Sequence, residues 1–117
     1  MEYLIGDISK ETGFGIHTLR FYEKKNLISP QRDFRNRRIY SENDLFRLKI
    51  IKNFKIIGTS LEDIELYFHF FDNANEGKEE RRIFLLAEKN KINSQIEHLR
   101  AVESFIDNIL IKCHLVD

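Results

Sequence analysis

Between Glu79 and Lys112 the chain holds neither proline nor glycine, and Leu85, Ile92, Leu99 and Ile106 recur there every seven residues, with Cys113 next in the series. A seven-residue apolar repeat keeps one stripe of an α-helix turned towards a neighbouring helix, as in a coiled coil. Ile96, Val102, Ile109 and Leu110 widen that stripe. A helix over residues 79–112 reaches about 50 Å, longer than a head of ~70 residues is wide. The head alone cannot cover it. The expectation is therefore a dimerisation helix that pairs with a second copy, because a two-fold pair is the commonest closed assembly. The competing arrangement folds the helix back onto its own head.

A length of 117 residues leaves room for one compact domain besides this helix. The division expected is a head over 1–71, a polar linker over 72–78, the helix over 79–112 and a short tail over 113–117. No apolar run approaches the ~18 residues of a membrane span, and Met1-Glu2-Tyr3 does not open a signal peptide. Cys113 is the only cysteine, which excludes an intrachain disulfide and suits a reducing, cytoplasmic setting.

The formal charge is zero, but it is unevenly spread. From Gly15 to Ile57 there are eleven Lys and Arg against four Asp and Glu, a net +7 that the rest of the chain cancels. Such a block is either a phosphate-binding surface or an ordinary solvated face, and position must decide between them.

Asp7 to Thr12 reads as a short helix stopped by Gly13, and a second helix runs from Ile16 to about Lys25, where Asn26 supplies a left-handed end. Two helices joined by a Gly-containing turn form a helix-turn-helix. Pro30 ends that segment. Gln31 to Tyr40 carries four arginines around the turn sequence Asp33-Phe34-Arg35-Asn36, which predicts a small β-hairpin wing. Ser41-Glu42-Asn43-Asp44 and Ser60-Leu61-Glu62-Asp63 are capping sequences for a third and a fourth helix. The fold class expected is mainly α: a winged helix-turn-helix head followed by a long C-terminal dimerisation helix.

Ile5-Gly6-Asp7-Ile8, Thr18-Leu19-Arg20-Phe21-Tyr22-Glu23, Leu27-Ile28-Ser29-Pro30, Arg38-Ile39-Tyr40-Ser41 and Gly58-Thr59-Ser60-Leu61-Glu62-Asp63-Ile64 follow one another in register. In this series the chain resembles the MerR family of bacterial transcription regulators over about residues 3–68. It resembles the short form, without a separate effector domain, since it stops at Asp117. Three positions depart from the family pattern. Asn26 replaces a usual glycine, Asn36-Arg37 replaces a Gly-aromatic pair at the wing, and Gly15 stands at a serine cap position.

The resemblance implies a homodimer on double-stranded DNA, at a palindromic promoter site that it bends or untwists so that RNA polymerase can engage. His17, Thr18, Phe21 and Tyr22 are the candidates for the major groove, with Arg20 on a phosphate or a base edge; arginine can pair with guanine, and aromatic carbons touch thymine methyls. Of the adjacent Phe21 and Tyr22, about 100° apart on a helix, only one is expected to be fully buried. Arg32, Arg35, Arg37, Arg38 and Tyr40 are the wing candidates for phosphate or minor-groove contacts. Lys52 and Lys55, with the amides of Gly58-Thr59-Ser60, make a second backbone clamp.

Cys113-His114 is a candidate sensing pair, weighed against an inert thiol that continues the heptad and is buried at the interface between two copies. No metal and no cofactor is expected. Tyr67, Phe68, Phe70 and Phe71 read either as core or as a ligand-reading patch, with burial the commoner fate of phenylalanine. No nucleophile–base constellation or phosphate-cradling loop points to an enzyme. A protein-binding adaptor built on the same head would need an acidic partner to match the wing.

Overall fold

The computed structural model describes residues 1–73, 75 and 77–115. Within them the order is α1 (Ile5–Thr12), α2 (Ile16–Lys24), β1 (Gln31–Arg32), β2 (Arg38–Ile39), α3 (Glu42–Ile56), α4 (Leu61–Asp72) and α5 (Lys78–Lys112). The chain is mainly α, a winged helix-turn-helix head followed by a long C-terminal helix. Its contacts divide it into Met1–His69 and a second unit that begins at Phe70, so the division falls inside α4. Of the segments expected to link and to trail, Ala74, Glu76, Val116 and Asp117 lie outside the described residues.

Local chemistry explains each boundary. Asp7 does not open α1 but sits one turn in, where its carboxylate accepts the Leu4 N–H at 3.1 Å. The helix therefore starts two residues earlier than the side-chain pattern suggests. Gly13 closes α1 at φ 79° and donates its N–H to Ser9 O at 2.8 Å, a backbone conformation that costs a residue with a Cβ about 1–2 kcal/mol. Thr12 Oγ1 donates to Ile8 O at 2.7 Å and accepts the Phe14 N–H at 3.2 Å, which ties the turn to the helix before it. Asn26, at φ 61°, takes the left-handed place after α2.

Ser41 and Asp44 complete a capping box at α3. Ser41 Oγ accepts the Asp44 N–H at 3.1 Å, and Asp44 Oδ2 accepts the Ser41 N–H at 3.0 Å. Asp44 is buried and also accepts the Ser29 N–H at 3.1 Å through Oδ1. One carboxylate thus joins the exit from α2 to the exit from the hairpin. One turn on, the buried Arg47 donates from Nε to the Leu27 carbonyl and lays its guanidinium 4.2 Å from the centre of the Phe68 ring. Around these two polar residues the core closes with Ile8, Leu19, Tyr22, Ile28, Tyr40, Leu48, Ile51, Ile64 and Phe68. Each such side chain contributes about 1.5–3 kcal/mol on burial.

The hairpin is antiparallel, with Gln31 opposite Ile39 and Arg32 opposite Arg38. Tyr3 adds a short third segment through paired backbone bonds to Tyr40 of 2.9 and 2.7 Å. A ribbon so short is unstable alone. It persists because Tyr40 is sunk in the head, fully out of solvent.

In the second unit, α5 leaves its apolar residues largely open: Leu85, Ile96, Leu99, Val102, Ile106 and Ile109 are all exposed, and Ile92 and Leu110 are half-buried. Gly77 caps the start of α5, and a Cβ there would collide with the backbone of Phe70. Among the described residues no helix is long and apolar enough to cross a membrane.

Replacing Asp44 by Ala strands two backbone amides, a loss of about 2 kcal/mol. Asp44→Asn, which keeps an acceptor, should fall between that variant and the parent. Urea unfolding followed by far-UV circular dichroism gives the ranking, and equal midpoints for all three proteins would contradict the bridging role.

Candidate nucleic-acid interface

The basic segment does not form one uniform surface. Arg47, one of its eleven bases, is buried against Leu27 and Phe68, so it serves the core rather than the exterior. Eight of the others, Arg20, Arg32, Arg35, Arg37 and Arg38 and then Lys25, Lys52 and Lys55, gather at two places on the head.

The first lies between α2, the start of α1 and the wing. There Arg20, Arg32, Arg37 and Arg38, with Leu4 to Asp7 and Asn36, line an open crevice of about 460 Å³. The Asp7 carboxylate is in this lining too, turned to the Leu4 amide. Arg38 is held by a fork: its Nε lies 3.1 and 3.2 Å from the two Glu23 oxygens, and its Nη2 lies 3.1 Å from Oε2. This charge-assisted bond to Glu23 raises the Arg38 pKa further above its ordinary value. Arg38 therefore anchors the wing to α2, a structural duty that its sequence position does not reveal.

The wing tip is organised by Asp33. Its Oδ1 accepts the N–H groups of Arg35 and Arg37, each at 2.9 Å, and its Oδ2 accepts Arg37 Nε at 2.9 Å. Asn36 N–H donates to Asp33 O at 2.9 Å, Asp33 N–H donates to Arg37 O at 3.0 Å, and Asn36 sits at φ 62°. This is a three-residue loop in which the last residue is left-handed, the geometry usually given to glycine. Asn in place of the family's usual glycine preserves it. Arg32 Nη1 donates to Asn36 O at 2.9 Å. Phe34, at the apex, is 90% exposed, with the Arg35 guanidinium 5.3 Å from its ring centre.

The second place is where α2 meets the end of α3 and the start of α4. Phe21, Tyr22, Lys55, Thr59, Leu61 and Ile64 line a hollow of about 220 Å³. Lys55 Nζ stands 6.0 Å from the Tyr22 ring centre, Lys25 Nζ stands 5.7 Å from that of Phe21, and Lys52 Nζ approaches Gly13 in the helix-turn-helix turn. Ser60 Oγ accepts the Asp63 N–H at 3.1 Å and so caps α4.

Set against the sequence candidates, His17, Arg20, Phe21, Lys52 and Lys55 are exposed and Thr18 is half-buried, on or beside α2. Arg32, Arg35 and Arg37 are exposed on the wing, and Arg38 is half-buried. Tyr22 and Tyr40 need correction. They are 2% and 0% exposed, because Tyr22 packs edge-on against Phe14 at 5.3 Å and Tyr40 is held in the head by its bridge to Tyr3. Tyr40 presents no surface to a ligand, and Tyr22 only floors the hollow beside Phe21 and Lys55. Of the pair Phe21–Tyr22 one is buried and one is not, as helical spacing requires. Phe34 and Glu23 were not among the candidates. An aromatic in a turn next to arginine was the available signal for Phe34, whereas nothing local marks Glu23. Tyr67 and Phe68 are core, and Phe70 and Phe71 are half-buried in the second unit. Cys113 lies one residue past the end of α5 and is exposed in the single chain, like the apolar stripe that it continues, and His114 follows at φ 55°.

Comparison with known proteins agrees with this geometry. Residues 3–70 match the family model described as MerR HTH family regulatory protein, and residues 45–109 match that described as MerR, DNA binding. The chain is similar to the mercuric resistance operon regulatory protein of Bacillus cereus, 26% identical over 114 residues, covering 97% of this chain and 86% of that one. Among solved structures it is similar to a MerR family regulator lacking the sensor domain, bound to promoter DNA, with TM-score 0.82 and 27% identity over 89% of this chain and 80% of that one. A MerR family regulator from Bacillus thuringiensis shares the fold, with TM-score 0.82 and 22% identity over 96% of this chain and 99% of that one.

Two outcomes follow. The Tyr40 hydroxyl is buried without a hydrogen-bond partner among the described residues, so Tyr40→Phe should raise stability by about 1 kcal/mol in thermal unfolding. A loss of nucleic-acid affinity in that variant would instead restore Tyr40 as a contact. At the tip, the hydrogen bond from the Arg37 amide, more than those from its side chain and from Arg35, holds the Asp33 carboxyl below the ordinary carboxylate range, with desolvation opposing. A depressed carboxylate acts while ionised and is lost only as pH falls through its folded value. Protection of the Arg35 and Arg37 amides should therefore persist into acid below the ordinary range, and Asp33→Ala, which removes the acceptor, should abolish it at neutral pH, read by hydrogen exchange.

Proposed function

This chain belongs to the MerR family and is a DNA-binding transcription regulator; from that premise we propose that it acts as a homodimer on a palindromic promoter site in the bacterial cytoplasm. The observation that carries the proposal is the arginine-lined crevice between α2 and the wing. A phosphodiester ridge separates the two grooves of a duplex. A ridge seated among Arg20, Arg32 and Arg37 leaves α2 in the major groove and the wing over the neighbouring minor groove. His17, Thr18 and Phe21 then face base edges. Arg32, Arg35 and Arg37 take phosphates on the wing side, with Arg38 setting the angle between the two elements. Lys52 and Lys55 with the Ser60 amide form the second clamp, the Gly58 and Thr59 amides being held instead by the carbonyls of Lys55 and Phe54, and such backbone contacts fix register rather than sequence.

The open apolar face of α5 supports pairing of two copies as an antiparallel coiled coil through Leu85, Ile92, Ile96, Leu99, Val102, Ile106, Ile109, Leu110 and Cys113. Burying it gives the pair its stability and sets two wings at one spacing along the duplex, so that half-site separation is a property of α5. Both heads held on one site bend or untwist the promoter at a cost of order 1–6 kcal/mol, offset by the wing contacts, and RNA polymerase engages the reshaped promoter. The MerR relative bound to promoter DNA supports this reading. Residues 1–71, 72–78, 79–112 and 113–117 are then head, connection, pairing helix and tail.

Salt separates this reading from a protein-binding adaptor. Affinity for a duplex recovered by selection should fall steeply between low and high salt, as counterion release requires. Replacing Arg32, Arg35 and Arg37 together by Ala removes three phosphate contacts from each protomer and should reduce the slope of log affinity on log salt by roughly 5 for the dimer. Light scattering should return twice the chain mass, and Leu99→Glu with Ile106→Glu should return a monomer. A stable monomeric parent, or a salt slope untouched by the three arginines, would refute the proposal.

A further inference from the structure

Phe34 has no role in the head. It is 90% exposed, the largest exposure among the aromatic residues, and it sits at the apex of a loop that needs only Asp33 and Asn36 to hold its shape. Its immediate neighbours Asp33, Arg35, Asn36 and Arg37 are all polar, so it is not the corner of an apolar patch that a protein partner would cover. We propose that Phe34 is an apolar wedge that enters the minor groove, where it partly unstacks one base step in each half-site and makes the protein favour duplexes that deform there. This rests on the DNA-binding reading above and adds to it a residue that selects sequence through deformability instead of through a phosphate or a base edge.

Three features lead to that occupant. First, Arg20 of α2 and Arg32 and Arg37 of the wing line one crevice, so a phosphodiester ridge held there leaves the wing on the minor-groove side of it. Second, the ring is flanked by cations: the Arg35 guanidinium lies 5.3 Å from its centre, and Arg37 is fastened to Asp33 beside it. The minor groove has apolar sugar walls and bases between two phosphate rims, which matches a ring between guanidinium groups. Third, the tip is pre-shaped, with both Asp33 oxygens engaged and Asn36 already left-handed, so little order remains to be gained on docking. Apolar side chains inserted in this way unstack base steps and kink the duplex towards the major groove. Pyrimidine–purine steps deform most easily, so the step beneath Phe34 should be of that kind.

The test uses the full chain and a duplex selected from a random library, carrying 2-aminopurine at successive positions under the wing. The parent should raise 2-aminopurine fluorescence severalfold at one step per half-site. Phe34→Ala should abolish that rise and weaken binding about a hundredfold at every salt concentration, the size of two lost aromatic–base contacts, one in each half-site, with an unchanged salt slope. Phe34→Leu should retain part of both effects. Arg37→Ala serves as the contrast, because a lost phosphate contact flattens the slope. Thermal unfolding of Phe34→Ala should match the parent, since the ring packs on nothing beneath it. Parent-like affinity and fluorescence in Phe34→Ala would overturn the wedge and leave the DNA-binding reading standing. A parent that binds no duplex would overturn that reading instead, and the wedge with it.

Discussion

The relation between wing and recognition helix depends on one ion pair. Glu23 lies on α2 and Arg38 on β2, fifteen residues apart, and their fork of three contacts between 3.1 and 3.2 Å sets how the hairpin leans on the helix. Both side chains are mostly covered, so the pair is less screened than a surface bridge. Because the hairpin has only two residues per strand, it has little stiffness of its own. Its direction is borrowed from α2 through this pair, and from the core through Tyr40. The arginine crevice exists because of that borrowed direction.

A second set of buried polar contacts performs the same service behind the site. Asp44 gathers the amides of Ser29 and Ser41, and Arg47 reaches the Leu27 carbonyl while lying on Phe68. In a head of this size the apolar core is modest, and non-directional burial would not by itself specify how the segments between α2 and α3 run. Directional bonds from two adjacent turns of α3 do so. Two members of a conspicuously charged segment are thus removed from any contact with a ligand, and the surface that remains is smaller and better ordered than a charge count implies.

Much of this was readable beforehand. The capping sequences at Ser41 and Ser60, the left-handed ends at Gly13 and Asn26, and the span of the long helix all rest on interactions among residues near in sequence, and each is found. Asp7 misled by two residues because a carboxylate can cap from inside the first turn as well as from before it. Tyr22 and Tyr40 misled for a different reason. An aromatic ring in a basic segment is compatible with either a ligand face or a core, and only packing from α1, α3 and the N-terminal segment distinguishes them. Glu23 carried no signal at all, since its partner is on another element.

By itself, the amino-acid order determined the helices, the turn residues, the placement of the hairpin and the length and apolar stripe of α5, because periodicity and capping act within a turn or two of chain. It also determined the family resemblance, which lies in the register of those elements. Only the tertiary structure decided which arginines are free to meet a phosphate, which is fastened to Glu23, which is buried beneath Phe68, and which aromatic ring is left standing in solvent. Those outcomes turn on distances between residues far apart in the chain, and a local pattern carries no record of them.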